Sequence, residues 1–244
     1  MLRKAAYNTS ENILMLRTMR RGAFAILPLA LGAAVYGFAF GLLAAQVGFP
    51  WWGVGLMSAS VHAGSSQIVA VEQFATTGTV VGTVMAGAAL NLRYIGIIAS
   101  LSDVLDGLSL RAKLLAIHIT GDENWALTMA ERAKSPDVGA AFLMGSGFVM
   151  IFVWTASTTA GALLGAVLPD LERFGLGFAF TAAFIAMARG LWRGRSQLLP
   201  WIIASGATVA VASLGMPKAY SIIVGALLGL ATCALLRCRK AALG

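Results

Sequence analysis

Residues 22–101 read GAFAILPLALGAAVYGFAFGLLAAQVGFPWWGVGLMSASVHAGSSQIVAVEQFATTGTVVGTVMAGAALNLRYIGIIASL, and within them only Glu72 and Arg93 carry charge. A stretch of this length with two charges cannot form the surface of a water-soluble domain, so the chain reads as an integral membrane protein. Both charges sit inside apolar segments. An ionisable group placed in hydrocarbon is costly and usually lines a pathway or a site.

Outward from this stretch the composition agrees. Hydrophobic residues make up 59% of the 244 and charged residues 11%, with a mean hydropathy of +0.82. The 28 glycines suit close helix packing in lipid and would weaken soluble helices. The net charge of +8 does not form one basic face. It gathers at Arg3, Lys4, Arg17, Arg20 and Arg21, then Arg189, Arg193 and Arg195, then Arg237, Arg239 and Lys240. These are short segments flanking apolar runs, the pattern of cytoplasmic loops, and they argue against nucleic-acid binding.

Cys233 and Cys238 lie beside the last basic cluster, where a disulfide is not expected, and two cysteines alone make no metal site. The first 21 residues are polar and basic, and the apolar run after them is too long for a signal peptide. Ile13, Leu14, Leu16 and Met19 fit one face of a short interfacial helix. They fit equally a loosely ordered lead into the first span.

The apolar segments are Ala23–Ala45, Trp51–Phe74, Val80–Leu101, Leu114–Ala130, Gly139–Leu168, Phe174–Ala188, Leu198–Leu214 and Ala219–Leu236. Each is near the roughly 20 residues that cross a bilayer, and backbone groups in lipid must be satisfied internally, so helices are expected. The fold expected is all-α: a polytopic transmembrane helix bundle of eight spans, with both termini cytoplasmic. Six spans plus re-entrant second and fourth segments keep the same parity. Residues 1–21 then form a cytoplasmic segment, 22–236 a single transmembrane domain and 237–244 a basic tail. Pro50 and Pro169 echo each other at the ends of long apolar runs, which permits an internal repeat without establishing one.

The second segment holds Ser58-Ala59-Ser60-Val61-His62-Ala63-Gly64-Ser65-Ser66-Gln67, and the fourth holds His118-Ile119-Thr120-Gly121-Asp122-Glu123-Asn124. Neither is a comfortable lipid-facing helix, and both suit interior helices broken near the midplane. A break at Gly64 would start a half-helix whose backbone N–H groups, with Ser65 and Ser66, suit a carboxylate. A small-residue packing face is the alternative.

Asp122 and Glu123 suit a bound ammonium or a coupling proton; the alternative is an ion pair with Arg93 that only holds helices together. Arg93 has three candidate partners: Glu72, Asp122 and a substrate carboxylate. Glu72 is placed near the inner end of its span. His62 and His118 can relay protons or sit as neutral interior histidines. No Gly-x-Ser-x-Gly elbow and no HExxH spacing is present, so neither hydrolase nor metal chemistry is expected.

Several of these residues resemble the AzlC family. The matching runs are Pro28-Leu29-Ala30-Leu31-Gly32 with Tyr36-Gly37-Phe38-Ala39-Phe40-Gly41, Ala63-Gly64-Ser65-Ser66-Gln67, Asn91-Leu92-Arg93-Tyr94, Asp122-Glu123 and Gly175-Leu176-Gly177-Phe178-Ala179-Phe180. They fall in the expected order from about Gly22 to the C-terminus. The chain departs from the family pattern at His62, Ser66 and Gly177.

The resemblance implies the large subunit of a branched-chain amino acid exporter of the bacterial inner membrane, which also exports methionine in some cases. Such a protein works with a small AzlD-type subunit and the proton motive force, without cofactor, metal or enzymatic activity. On this reading Gly64, Ser65, Ser66, Gln67, Asn91 and Arg93 serve the substrate carboxylate. Asp122 and Glu123 serve its ammonium, and Asp122, Glu123 and His118 are the candidates for the coupling proton.

Overall fold

A computed structural model describes residues 2–167, 185, 189, 192, 194–216 and 218–242. Apart from Ile185, the sixth apolar segment Phe174–Ala188 lies outside them, as do Pro169, Arg193 and the 175–180 run with Gly177. Among the described residues every regular element is helical. Four helices are long and apolar enough to cross a membrane: Leu27–Gln46, Val80–Ser100, Ala140–Gly165 and Arg195–Ser213. A shorter apolar helix covers Tyr220–Leu236.

The chain forms two compact units, 1–68 with 92–183, and 69–91 with 184–244. In the first unit, α1 (Leu2–Ala25) leads through Ile26 into α2 (Leu27–Gln46). Pro28 lies in the first turn of α2, where its missing N–H costs nothing. The N-terminal segment is therefore helical from Leu2 rather than a loose lead, although Ile13, Leu14 and Leu16 remain exposed.

The remaining helices of this unit are α3 (Trp51–Val61), the first turn of α4 (Gly64–Thr77), α6 (Arg93–Ser100), α7 (Ser102–Leu105), α8 (Leu110–His118), α9 (Asp122–Lys134) and α10 (Ala140–Gly165). α10 is the hub and packs on α1, α2, α3, α8 and α9. Small residues make that possible. A Cβ on Gly41 would strike the backbone of Thr158, and one on Gly161 the backbone of Phe38, so α2 and α10 meet backbone to backbone. Away from this seam Leu31, Val35 and Phe152 present apolar surface that water would not tolerate and lipid does.

In the second unit α4 continues to Thr77, followed by α5 (Val80–Asn91), then α11 (Leu198–Ser213) and α12 (Lys218–Ala242). α12 packs on α11 and α5, and carries the helix through the basic tail to Ala242.

Two expected spans are interrupted. The second is α3 and α4 with His62 and Ala63 between them, and the fourth is α8 and α9 separated by Ile119, Thr120 and Gly121. The third is also divided, into α5 and α6 at Leu92. The fourth starts earlier than its apolar run suggests, because Ser109 caps α8 by accepting from the Ala112 N–H at 3.4 Å.

Candidate functional site

The first interruption is built on an unusual residue. His62 adopts φ 45°, ψ 44°, and among the described residues it alone has a positive φ without being glycine. Its N–H closes α3 on the Ser58 carbonyl at 3.1 Å, and its own carbonyl accepts from the Tyr94 hydroxyl at 3.3 Å. Left-handed backbone costs a Cβ-bearing residue about 1–2 kcal/mol, so the surrounding contacts must hold it there.

Gly64 is spared that role and serves close packing instead. A Cβ on it would lie 2.7 Å from Trp154 Cη2 and 2.8 Å from Tyr36 Cε1. The start of α4 thus rests on an aromatic floor, in which the Trp154 ring lies 5.5 Å from Tyr36 and 6.2 Å from Phe40. Gln67 fixes the rotation of that helix. It accepts from Trp154 Nε1 at 2.9 Å and donates to Ser58 Oγ at 3.1 Å, and Thr158 donates to the same Ser58 oxygen at 2.9 Å. Ser66 and Gln67 are buried, while Ser65 is half-buried.

The second interruption is closed by Asn124, which is fully buried. Its Oδ1 accepts from the Gly121 N–H at 2.6 Å, and its Nδ2 points to the carbonyls of Ile119 and Leu143 at 3.4 and 3.5 Å. Gly147 on α10 admits this arrangement, since a Cβ there would lie 2.7 Å from the Ile119 oxygen. Asp122 and Glu123 occupy the first turn of α9, where the helix dipole favours negative charge.

Arg93 joins the two. Its Nη1 donates to Ser65 Oγ at 2.5 Å, and its Nη2 lies 2.9 Å from Asp122 Oδ2. The side chains of Arg93 and Asp122 keep 32% and 42% of their surface accessible, so the pair is open on one side. A core of Ile97, Leu101, Val104, Leu105, Ala116 and Leu143 packs against Tyr94 and Trp125. Trp125 also donates to Ser100 Oγ at 2.8 Å, which fixes α9 against α6.

The structure therefore brings together Gly64, Ser65, Arg93, Asp122 and Glu123, with Ser66 and Gln67 beneath. His118 ends α8 on an exposed face. Asn91 ends α5 and Glu72 lies along α4, both counted with the second unit. There Glu72 lines a cavity of about 290 Å³ with Val69, Gln73, Thr76, Thr77, Gly215 and Met216. Of the side-chain partners open to Arg93 in the sequence, Asp122 is the one within ion-pair distance. Among the described residues no group of three or more His, Cys, Asp or Glu side chains could hold a metal.

A family model described as AzlC protein matches residues 28–168, which spans α2 through α10 and every residue of this cluster. The chain belongs to the AzlC family. Two curated relatives of this AzlC-family protein come from Helicobacter pylori, each named only as an uncharacterized membrane protein. The one from strain J99 is 25% identical over 186 residues, covering 76% of this chain and 81% of the relative. The one from strain 26695 is 26% identical over 157 residues, covering 64% and 68%. No solved structure matches the chain.

Reading the sequence missed three parts of this candidate site in the AzlC-family chain. Asn124 had a signal, because it stands three residues after Gly121 in the position of a capping partner. Tyr94 had only its place beside Arg93. Trp154 had none, since nothing local distinguishes it from any other aromatic residue in an apolar helix.

Proposed function

We propose that this protein is the large subunit of a secondary transporter exporting branched-chain amino acids, and other apolar ones such as methionine, across the bacterial inner membrane. On this reading it is not an enzyme, it works with a small AzlD-type subunit, and flux is coupled to protons. Family membership supports the class. The observation that carries the mechanism is Arg93, held between Ser65 at the start of one half-helix and Asp122 at the start of another.

In the empty transporter Arg93 and Asp122 neutralise each other. A zwitterion can enter without leaving either charge alone. Its carboxylate takes the Arg93 guanidinium, the Ser65 hydroxyl and the N-terminus of α4; its ammonium takes Asp122, with Glu123 behind it. One ion pair becomes two, so neither Arg93 nor Asp122 is left uncompensated in the low-dielectric site. Gln67 acts here as a positioning residue, because its amide is already bonded at both ends. Movement about the interruptions at 62–63 and 119–121 supplies alternating access.

Everted vesicles carrying both subunits should accumulate labelled leucine under an imposed pH gradient, and leucine should raise the melting temperature of the purified complex by mass action. Absence of both effects would overturn the reading.

The Arg93–Asp122 contact also favours a second reading, a scaffold in which the pair only fastens helices. The reversed pair, Arg93→Asp with Asp122→Arg, separates them. A scaffold regains stability and assembly in full. A transporter regains stability and stays inactive, because the carboxylate-binding end then carries the wrong sign.

A further inference from the structure

Within the proton-coupled reading one buried group has no task. His62 is 5% exposed, and its Nδ1 has no hydrogen-bond partner among the described residues. A buried imidazole nitrogen left unbonded is destabilising by about 1–3 kcal/mol, and the left-handed backbone adds to that. A side chain retained at such cost as mere filling would be better replaced by an apolar one.

What the imidazole faces is specific. Its Cε1 edge, flanked by the two ring nitrogens, lies 3.3 Å from the point a Cβ on Gly121 would occupy. Glu123 Oε2 lies 3.4 Å from the same point. The histidine of one interruption and the acid of the other thus both flank Gly121, with no ion pair between them in this state.

The other charged and titratable groups nearby are accounted for. From α6, Arg93 is engaged by Ser65 and Asp122, and Tyr94 gives its hydroxyl to the His62 carbonyl. From α9, Asp122 holds Arg93. From the end of α8, His118 lies on an exposed face. Glu123 makes no ion pair among the described residues.

We propose that His62 and Glu123 form a proton-holding pair, separate from the Arg93–Asp122 ion pair, that ties the two helix interruptions together when it carries a proton. Loading takes one proton from water onto the imidazole, whose N–H then donates to the Glu123 carboxylate. Unloading returns the proton to water and leaves a neutral ring. No other bond changes. The substrate and the proton bind at different groups and communicate because both sites sit on the same two hinges. The pair's role in transport rests on the transporter reading; its existence does not.

The chain has two histidines, so ¹⁵N-histidine-labelled full-length protein in lipid nanodiscs yields two imidazole titrations, assigned with His118→Gln. Glu123→Gln should move the His62 titration toward acid by about one pH unit or more, and Asp122→Asn by clearly less. An unchanged His62 titration in Glu123→Gln, or an equal shift in Asp122→Asn, would overturn the pair. A further measurement guards against a variant that misfolds. His62→Asn, which tolerates left-handed backbone but cannot hold a proton, should lose about tenfold more gradient-driven leucine uptake than leucine exchange in vesicles. Equal losses of both would overturn its coupling role. Wild-type vesicles that move no branched-chain amino acid would remove the transport reading, and the titration alone would then judge the pair.

Discussion

The two helix interruptions solve the same problem in opposite ways. At 62–63 the chain turns through a strained left-handed histidine, and the helix that follows opens with Gly64, Ser65 and Ser66, which bring no charge. At 119–121 the turn is relaxed and capped by Asn124, and the helix that follows opens with two acids. One positive helix end is thus dressed with neutral donors, and the other is already answered by its own carboxylates. Arg93 touches both. The difference teaches that the polarity of the site is set by what each half-helix carries in its first turn, and not by the breaks themselves.

The comparison is broken most severely by removing the bridge. Arg93→Gln leaves Asp122 without its cation and the α4 start without its guanidinium, and should lower leucine transport about 100-fold, measured as initial rate in vesicles. A rate within threefold of wild type would mean that the two ends do not work as one site.

Asn124→Ala tests the capped break. It strands the Gly121 N–H in a buried position and should cost about 1–3 kcal/mol of stability, read as a lower melting temperature in detergent. The matching change at the other break, Gly64→Ala, pushes a methyl group against Trp154 and Tyr36. It should cost about 1–3 kcal/mol by overpacking, with its loss concentrated in α4 by hydrogen exchange. If both variants destabilised the same helix, the two interruptions would be one structural unit and the contrast between them would fail.

The smallest effect is expected at the far end of α9, beyond its apolar part. Glu131 accepts from Lys134 at 2.8 Å and from Arg21 of α1 at 3.1 Å. The Lys134 hydrogen bond first, and the Arg21 contact with it, hold the Glu131 carboxyl below its ordinary range. A lowered folded value means the contribution is present above the ordinary carboxylate range and is lost as pH falls through the lowered value. Glu131→Gln should therefore melt slightly below wild type at pH 7 and equal to it in acid, with the gap narrowed by salt. A gap that widened toward acid would reverse the sign assigned here.

Much of this was legible in the chain. The near absence of charge between Gly22 and Leu101 dictated a membrane solvent, and the runs around Gly64 and Gly121 were too small and polar to be continuous lipid-facing helices. The span count was less legible. Hydropathy averages over about 20 residues, so it reports Trp51–Phe74 and Leu114–Ala130 as single segments where the backbone is divided. Which residue takes the strain was also hidden. Glycine is the natural choice for a left-handed turn, yet Gly64 is needed against Trp154 and Tyr36, and the turn falls to His62.

The amino-acid order alone determined the solvent, the helical class, the interrupted segments and the handful of polar groups kept among apolar ones, because these are local properties of composition and spacing. Only the tertiary structure decided that Arg93 meets Asp122 and Ser65, that Gln67 is spent on Trp154 and Ser58, and that His62 and Glu123 both flank Gly121. Those pairings join residues as many as 87 positions apart. A helix face is periodic, but what it is turned toward depends on how its neighbours pack.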